Sequence, residues 1–484
     1  MHDGGGAKSP VKIFANIFIS FIGAGVLGLP YAFREAGVIE GVFIMTVVGA
    51  LSVKAMLLII DSKYKILGEI PPGTSERQDS SKKEPPKKEA YEGTAVEQEK
   101  LMNGSDRKED IEMNGFVPSD EQAKKDTKPA IGDIDYGDVG YHAMGSKGQI
   151  LVDVTIIVSQ TGFCCAYLIF ITENLSNFVY EMHMYQWLLI LLPPMSLLTM
   201  VRKLHKLAIF SLFADFANVT AYAVVFWFDF EHVSKISLHP KTMSFSGLPF
   251  FLGIAIYCYE GAGMILSLEA SVLKEKRHRF RSIFIFAMFI VTTLYIVFGV
   301  CGYLSFGPET ENIITLNLPI GLFPAIVKSC LCFSLYFTFP VMMFPVVRLL
   351  EKRVLPDKDL SFIQGNIVRI VMVSVTGLVV LAIPNFGTLM LLVGATCCTL
   401  LAFILPASFH LKLFKGTLSK KEIALDYFLI VLGVIGAVIG THDAIKRLFP
   451  GIANKIDVTA TAGTITDAVK RSLSSTTVPT NVTS

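Results

Sequence analysis

Residues 15–33 read ANIFISFIGAGVLGLPYAF, an apolar segment that Gly23, Gly25 and Gly28 interrupt in its middle. Residues 247–268, GLPFFLGIAIYCYEGAGMILSL, repeat this pattern in the second half of the chain. Glycine in a helix interior costs about 1 kcal/mol relative to alanine, and lipid does not accept unpaired backbone groups. In secondary transporters such breaks lie near the bilayer midplane, where a substrate meets the freed backbone groups of two inverted repeats. The two segments therefore predict a transporter with broken first and sixth helices.

The composition is that of a membrane protein, with a mean hydropathy of +0.54 and 52% hydrophobic residues among 484. The net charge of +2 gives no indication of a nucleic-acid partner. The sequence has no phosphate-binding loop, zinc-ligand spacing or nucleophile elbow, and the glycine-rich GAGVLG lies in an apolar helix. We therefore expect no enzymatic activity, no cofactor and no metal site, and the lipid bilayer as the surrounding partner.

At about 20 apolar residues per crossing, the sequence predicts eleven transmembrane helices. They lie near 11–36, 38–60, 149–174, 185–200, 206–230, 247–268, 282–306, 320–350, 365–384, 386–411 and 424–447. Lysine and arginine are concentrated in the 4–5, 6–7, 8–9 and 10–11 loops, whereas the 3–4, 7–8 and 9–10 loops have none. By the positive-inside rule the N-terminus is cytosolic and, after eleven crossings, the C-terminus is luminal or extracellular.

The predicted domain organisation follows these spans. Residues 68–147 are charged and rich in Pro, Ser and Gly, a composition too polar to bury a core, so we predict a disordered cytosolic loop. The remaining parts are a cytosolic tail over 1–10, helices 1–2 over 11–67, helices 3–11 over 148–448, and a luminal or extracellular tail over 449–484.

The break in helix 1 is the first candidate site. Unwinding there exposes backbone N–H groups at the positive end of a half-helix, which favours binding of a substrate carboxylate. The alternative is close helix packing by small residues, but packing alone does not require three glycines in six residues followed by Pro30. The candidate substrate-binding residues are Gly23, Ala24, Gly25, Val26 and Gly28.

The break in helix 6 adds Glu260, and a carboxylic acid inside a membrane helix is by default a functional-site hypothesis. Glu260 is a candidate to bind a substrate ammonium group, to carry a coupling proton, or only to tie the loop together. Burial favours the protonated form of a carboxyl group, which suits the second role. The neighbouring candidates for substrate binding are Tyr257, Tyr259, Gly261 and Gly263.

Three other helices carry polar residues on one face. Helix 3 has Asp153, Gln160, Tyr167 and Asn174 at seven-residue spacing; Tyr167 and Gln160 are pocket candidates, and Asp153 is either a proton site or a surface cap. Helix 5 carries Asp215, a second proton-site candidate because it lies too deep to reach water. The Ser334 and Thr338 hydroxyls of helix 8 either coordinate Na⁺ or bond back to their own helix, and we favour the second reading.

Five stretches resemble the amino acid/auxin permease family, in the right order and over nearly all the helical chain. Within that family they are similar to proton-coupled amino-acid transporters and to plant vacuolar AVT-type transporters. The resemblance implies a LeuT-like five-plus-five inverted repeat with an eleventh helix, a substrate carboxylate at Gly23, Ala24, Gly25 and Gly28, and Glu260 in the second broken helix. The stretches are GAGVLGLPYAF, LVDVTIIVSQTGFCCAYLIFITEN, AIYCYEGAGMILSLE, YIVFGVCGYLSFGPETENIITLNLP and GTHDAI.

The chain departs from the family pattern at two positions. Animal proton-coupled members carry a histidine in helix 1 where this chain has Asn16, and a neutral residue where it has Asp215. Proton coupling is therefore placed differently here or absent.

We predict a transporter of small neutral amino acids that is coupled to protons and works by alternating access, with the vacuolar or lysosomal membrane favoured over the plasma membrane. One alternative is Na⁺ coupling through Ser334 and Thr338. The other is an amino-acid sensor that signals to a cytosolic partner through the 68–147 loop.

Overall fold

The computed structural model describes residues 9–69, 134–178, 182–201, 220, 222–227, 241–319, 321–354 and 362–450. Over these residues the chain is built from helices and short connections, without β-strands. Helix 1 consists of helix 1a (Pro10–Phe21), a 3₁₀ turn (Ala24–Gly28) and helix 1b (Leu29–Ala36). The helix axis bends by 49° at the break between helix 1a and the 3₁₀ turn.

The other helices of the first half follow the predicted order. They are helix 2 (Val38–Leu67), helix 3 (Ser146–Phe178) and helix 4 (Met184–Thr199). Helix 5, predicted at 206–230, lies outside the described residues apart from Thr220 and 222–227, which are helical.

Helix 6 begins in a 3₁₀ turn, continues as helix 6a (Leu248–Cys258), breaks, and resumes as helix 6b (Ile265–Ala270). Five helices follow it. They are helix 7 (Phe280–Phe306), helix 8 (Leu322–Val354), helix 9 (Phe362–Ala382), helix 10 (Phe386–Leu413, which contains two π-helical turns) and helix 11 (Lys420–Leu448).

Length and hydropathy identify seven of the described helices as membrane-spanning, and the bent helix 1 makes eight. Helix 4 and the Phe245–Cys258 segment are apolar but shorter. These ten described segments lie at ten of the eleven predicted crossings, and the remaining one, helix 5, lies mostly outside the described residues. We call the predicted cytosolic side of the molecule the inner side, and the opposite side the outer side.

The packing follows an inverted repeat of five helices. Helix 1b and the helix 1 break pack against helix 6a, helix 2 against helix 7, helix 3 along helix 8, and helix 4 against helix 9. Each of the first four helices therefore contacts its counterpart five helices later, as two units related by a pseudo-two-fold axis do. Because each unit has an odd number of crossings, the two have opposite orientations in the membrane. The molecule is an all-α membrane protein with a LeuT-like five-plus-five architecture.

Helix 10 packs closely on helix 6a because of two glycines. A Cβ built on Gly394 would lie 1.9 Å from the carbonyl oxygen of Gly253, so a side chain at this position is excluded. A π-helical turn, Gly394–Cys398, begins at the same point, and such turns often occur at functional sites. This contact holds helix 6a against helix 10 beside its break.

The predicted loop over 68–147 is wrong at its C-terminal end. Residues Tyr136–Met144 form a helix that begins with a capping box between Asp135 and Asp138, and this helix packs on helices 2, 3 and 10. Tyr136 is buried and its hydroxyl donates to the carbonyl oxygen of Leu401 at 3.0 Å; burial raises the pKa of this hydroxyl well above its usual range, so it stays a donor. The rest of the predicted loop, 70–133, lies outside the described residues.

Candidate functional site

A cavity of about 460 Å³, including some open space, lies between the two broken helices. The walls come from helices 1, 3, 6, 7 and 8. The lining residues are Ser20, Phe21, Gly23, Ala24, Gly25, Gln160, Phe163, Tyr167, Tyr257, Cys258, Glu260, Met264, Tyr295 and Met342.

The helix 1 break supplies backbone donors to this cavity. Gly23 is extended (φ −117°, ψ −177°), and the first bond of the following 3₁₀ turn runs from the Val26 N–H to the Gly23 carbonyl oxygen. The N–H groups of Gly23, Ala24 and Gly25 precede this bond, so the turn does not use them. All three residues line the cavity, where these donors suit an anionic group.

The helix 6 break brings one carboxylate to the same cavity. Helix 6a ends at Cys258, and the Gly263 N–H donates to Glu260 Oε1 at 3.4 Å. Glu260 Oε2 is buried and has no hydrogen-bond partner among the described residues. Among the residues that the structure describes, the cavity lining contains no Lys, Arg or His, and Glu260 is its one ordinarily charged side chain.

Helix 3 forms the opposite wall. Gln160 and Tyr167 both line the cavity, as the seven-residue spacing predicts. Gln160 Oε1 is buried without a hydrogen-bond partner among the described residues. Phe163 lies between them and packs edge-on against Tyr257, with ring centroids 4.7 Å apart. The helix 3 side of the cavity is therefore mostly aromatic, and Gln160 Oε1 is its hydrogen-bond acceptor without a partner among the described residues.

Several predicted substrate-binding residues lie at the breaks but do not line the cavity. Val26 is buried, and Gly28 and Gly261 allow the side chains of Met390 and Phe21 to approach closely. The Tyr259 hydroxyl donates to Thr292 Oγ1 of helix 7 at 3.0 Å. Gly263 lies behind Glu260 and contributes its N–H to that carboxylate.

Three of the other ion-binding candidates, Asp153, Ser334 and Thr338, do not line the cavity. Asp153 accepts a hydrogen bond from Arg353 of helix 8 at 2.5 Å, so it joins the two repeats. The Thr338 hydroxyl donates to the Ser334 carbonyl oxygen at 2.9 Å, the bond within the helix that we favoured. Asp215 lies outside the described residues.

Sequence reasoning missed seven lining residues. Cys258 had a signal, because it lies between two tyrosines directly before Glu260. The residues from helices 7 and 8 had none, since nothing in the periodicity of those helices marks the one position that reaches the breaks. The missed residues are Ser20, Phe21, Phe163, Cys258, Met264, Tyr295 and Met342.

Two broken helices packed together around a buried cavity, in a multi-pass helical membrane protein, define a secondary transporter. The chain belongs to the transmembrane amino acid transporter protein family, the amino acid/auxin permeases, whose model matches residues 6–71 and 123–446. It is 34% identical to the amino acid transporter AVT3C of Arabidopsis thaliana, over 91% of this chain and 92% of the relative. It is 32% identical to the amino acid transporter ANT1 of the same plant, over 91% and 93%. The protein is therefore an integral membrane amino acid transporter.

Solved structures of other transporters are similar at low sequence identity. Mhp1, a nucleobase-cation-symport-1 family transporter, in a closed conformation with bromovinylhydantoin bound, has a TM-score of 0.49 and 13% identity, over 93% of this chain and 96% of that chain. A Na⁺-coupled sialic acid symporter in a substrate-bound outward-open state has a TM-score of 0.42 and 10% identity, over 90% and 97%.

Proposed function

We propose that this protein transports small neutral amino acids in symport with protons. The observation that carries the proposal is the presence, in one cavity, of the Gly23–Gly25 N–H groups, which the 3₁₀ turn does not use, and of the unpartnered carboxylate oxygen Glu260 Oε2. The N–H groups suit the substrate carboxylate. Gln160 Oε1 is an acceptor for its ammonium group, and Glu260 Oε2 is left to carry the coupling proton.

The substrate side chain is small and uncharged in this proposal. The described part of the cavity lining has no basic residue that would pair with an acidic side chain. Phe163, Tyr257 and Met342 narrow the remaining space with apolar surface. Burying an acidic side chain there would leave it without a partner, which is costly.

Glu260 is the proposed proton carrier. Its carboxylate is buried between unwound backbone and apolar helices, and protonation of Oε2 would remove an uncompensated charge before the loaded carrier moves. Asp153 is less suited because Arg353 already balances its charge. The Na⁺ alternative has less support because the Thr338 hydroxyl is engaged within helix 8 and neither Ser334 nor Thr338 lines the cavity.

The test is uptake of labelled alanine by purified protein in liposomes under an imposed pH gradient, with and without Na⁺. Glu260→Gln imitates the protonated form, so we expect it to exchange alanine across the membrane but not to concentrate it. The matched control is Glu40→Gln: Glu40 is also buried, but Oε2 accepts from the Ser244 N–H outside the cavity. Accumulation by Glu260→Gln at the wild-type level would show that Glu260 is only a structural latch.

The sensor alternative and the membrane of residence are tested separately. A sensor would bind alanine without moving it, so absence of uptake in a folded, alanine-binding preparation would favour that function. We propose a vacuolar or lysosomal location from the family resemblance and from Glu97…Leu101-Met102, which resembles an acidic dileucine signal. A tagged chain found only at the plasma membrane would refute this location.

A further inference from the structure

The ends of two half-helices meet at one hydroxyl group. Helix 1a ends at Phe21 and helix 6a at Cys258. The Tyr295 hydroxyl, from helix 7, donates to the Phe21 carbonyl oxygen and lies 3.4 Å from the Cys258 carbonyl oxygen. Tyr295 is 1% exposed and lines the substrate cavity.

These two carbonyl groups need a positive partner. The last carbonyls of a helix have no partner within the helix, and the helix dipole places a partial negative charge there. Helix 1a approaches from the inner side and helix 6a from the outer side, so two negative ends converge. In transporters with broken helices, such half-helix ends and unwound carbonyls coordinate the coupling cation.

A second tyrosine occupies a neighbouring carbonyl of the same break. The Tyr222 hydroxyl donates to the Gly23 carbonyl oxygen at 3.2 Å. Two carbonyl groups of the helix 1 break thus accept phenolic hydroxyl groups from other helices, and the last carbonyl of helix 6a lies beside one of these hydroxyls. The geometry leaves no open ring of these oxygens for an ion.

We propose that Tyr295 is a positioning residue that takes the place of a coupling cation between the two breaks. Its hydroxyl proton joins the end of helix 1a to the end of helix 6a, so the two half-helices keep their relative position without Na⁺. This inference deepens the proposed function, and only its uptake measurement rests on that function. Removal of the hydroxyl uncovers two carbonyl oxygens in a cavity that also holds the Glu260 carboxylate, a set of hard oxygen ligands for Na⁺.

The experiment compares the wild type with Tyr295→Phe in choline chloride, KCl and NaCl at equal ionic strength. Labelled alanine uptake under a fixed pH gradient gives the maximal rate and KM, and thermal unfolding in detergent reports cation binding without transport. The matched control is Tyr303→Phe: Tyr303 is a buried tyrosine of the same helix whose hydroxyl accepts from the Lys241 N–H, away from both breaks.

For wild type and Tyr303→Phe we expect the same uptake and the same melting temperature in all three salts. For Tyr295→Phe we expect a maximal rate about tenfold lower in choline, the order of effect for losing one buried hydrogen bond, with KM changed less than about threefold. NaCl should restore much of this rate and raise the melting temperature of this variant alone. The split between rate and KM distinguishes positioning from direct substrate contact.

Four outcomes would overturn the inference. The first is uptake by Tyr295→Phe in choline at the wild-type rate, and the second is a lower rate that NaCl does not restore, with no change in the melting temperature in NaCl. The third is a rise in KM of this variant without a fall in its maximal rate, and the fourth is Na⁺ dependence of uptake by the wild type. If Tyr295→Phe does not fold, Tyr295→Gln retains a donor and is expected to stay insensitive to Na⁺, and a Na⁺ response from it would also overturn the inference. Absence of uptake by the wild type would instead contradict the proposed function, and the melting comparison would still decide the role of Tyr295.

Discussion

Gly23 and Gly25 lie two residues apart in the helix 1 break, yet an added methyl group would meet different surroundings at each. A Cβ on Gly25 would lie 3.0 Å from Cys258 Sγ and 3.2 Å from the Tyr257 ring, whereas nothing lies within 4 Å of a Cβ on Gly23. Gly23 is also in an extended conformation that any residue adopts. Lack of space therefore disfavours a side chain at Gly25, where helix 1 approaches helix 6, and not at Gly23.

We expect Gly25→Val to abolish alanine uptake without loss of membrane expression, because valine would fill the cavity entrance to the backbone N–H groups and push against Tyr257. Gly23→Ala should keep more than about half of the uptake, because there is room for a methyl group at this position. Substitutions that disturb no packing usually change the free energy of unfolding by less than about 0.5 kcal/mol. Uptake is measured in liposomes at matched protein amounts. Normal uptake by Gly25→Val would contradict the assignment of the carboxylate site.

At the scale of elements, the Tyr136–Met144 helix ties the end of the predicted loop to the transmembrane helices. The hydrogen bond from Tyr136 reaches Leu401, which lies in the second π-helical turn of helix 10, Leu400–Ile404. Helix 10 in turn packs against helix 6a through Gly394. A segment that is polar in sequence thus contributes to the support of the site.

We therefore make separate predictions for the two parts of the 68–147 segment, the part before the Tyr136–Met144 helix and the helix itself. Deletion of 75–130 should leave alanine uptake intact, because helix 2 and the Tyr136–Met144 helix pack together and the remaining eight residues of 70–133 can span roughly 25 Å. Deletion of 75–140 also removes Tyr136, so it should reduce uptake and lower the melting temperature. Equal behaviour of the two deletions would contradict a role for this helix, and loss of uptake by the shorter deletion with intact folding would favour the sensor alternative.

At the scale of the whole molecule, a buried ion pair joins the two repeats on the inner side. Lys63 of helix 2 donates to Glu269 Oε2 of helix 6b at 2.8 Å, and the Tyr64 hydroxyl donates to Glu269 Oε1 at 2.6 Å. Lys63 and Glu269 are 0% and 2% exposed. Arg277 lies 3.6 Å from the same carboxylate. This cluster links helix 6b to the first repeat.

We expect Glu269→Gln to lower the free energy of unfolding by about 3–5 kcal/mol, because it leaves Lys63 buried without its counter-charge. The double variant Lys63→Gln/Glu269→Gln should be less destabilised than the sum of the two single variants. The control is Asp443→Asn, since the Asp443–Arg447 pair is about one-fifth to one-quarter exposed and such pairs contribute about 1 kcal/mol or less. Thermal unfolding in detergent measures all four, and additive losses would show that the pair is not coupled.

The sequence by itself determined the class, the family, the order of the spans and the two broken helices. These follow from apolar runs of membrane length and from closely spaced glycines inside two of those runs, which are local properties of the chain. Glu260, Gly23–Gly25, Gln160 and Tyr167 were predictable for the same reason, because a polar or glycine residue inside an apolar helix requires a special environment. The functional roles of these residues stay predictions until uptake is measured.

Only the tertiary structure decided which side chains from distant helices complete the cavity. In the sequence nothing distinguishes Tyr295 from other tyrosines in apolar helices. Its place in the site is evident only in the structure, where helices 1a and 6a end beside its hydroxyl. Tyr136 lies in a polar stretch, and its burial depends on helix 10, more than 250 residues later in the chain. Tyr259 shows the reverse case, because it flanks the break in sequence yet points to helix 7. Such placements depend on contacts between helices far apart in sequence, which composition, spacing and helical period do not encode.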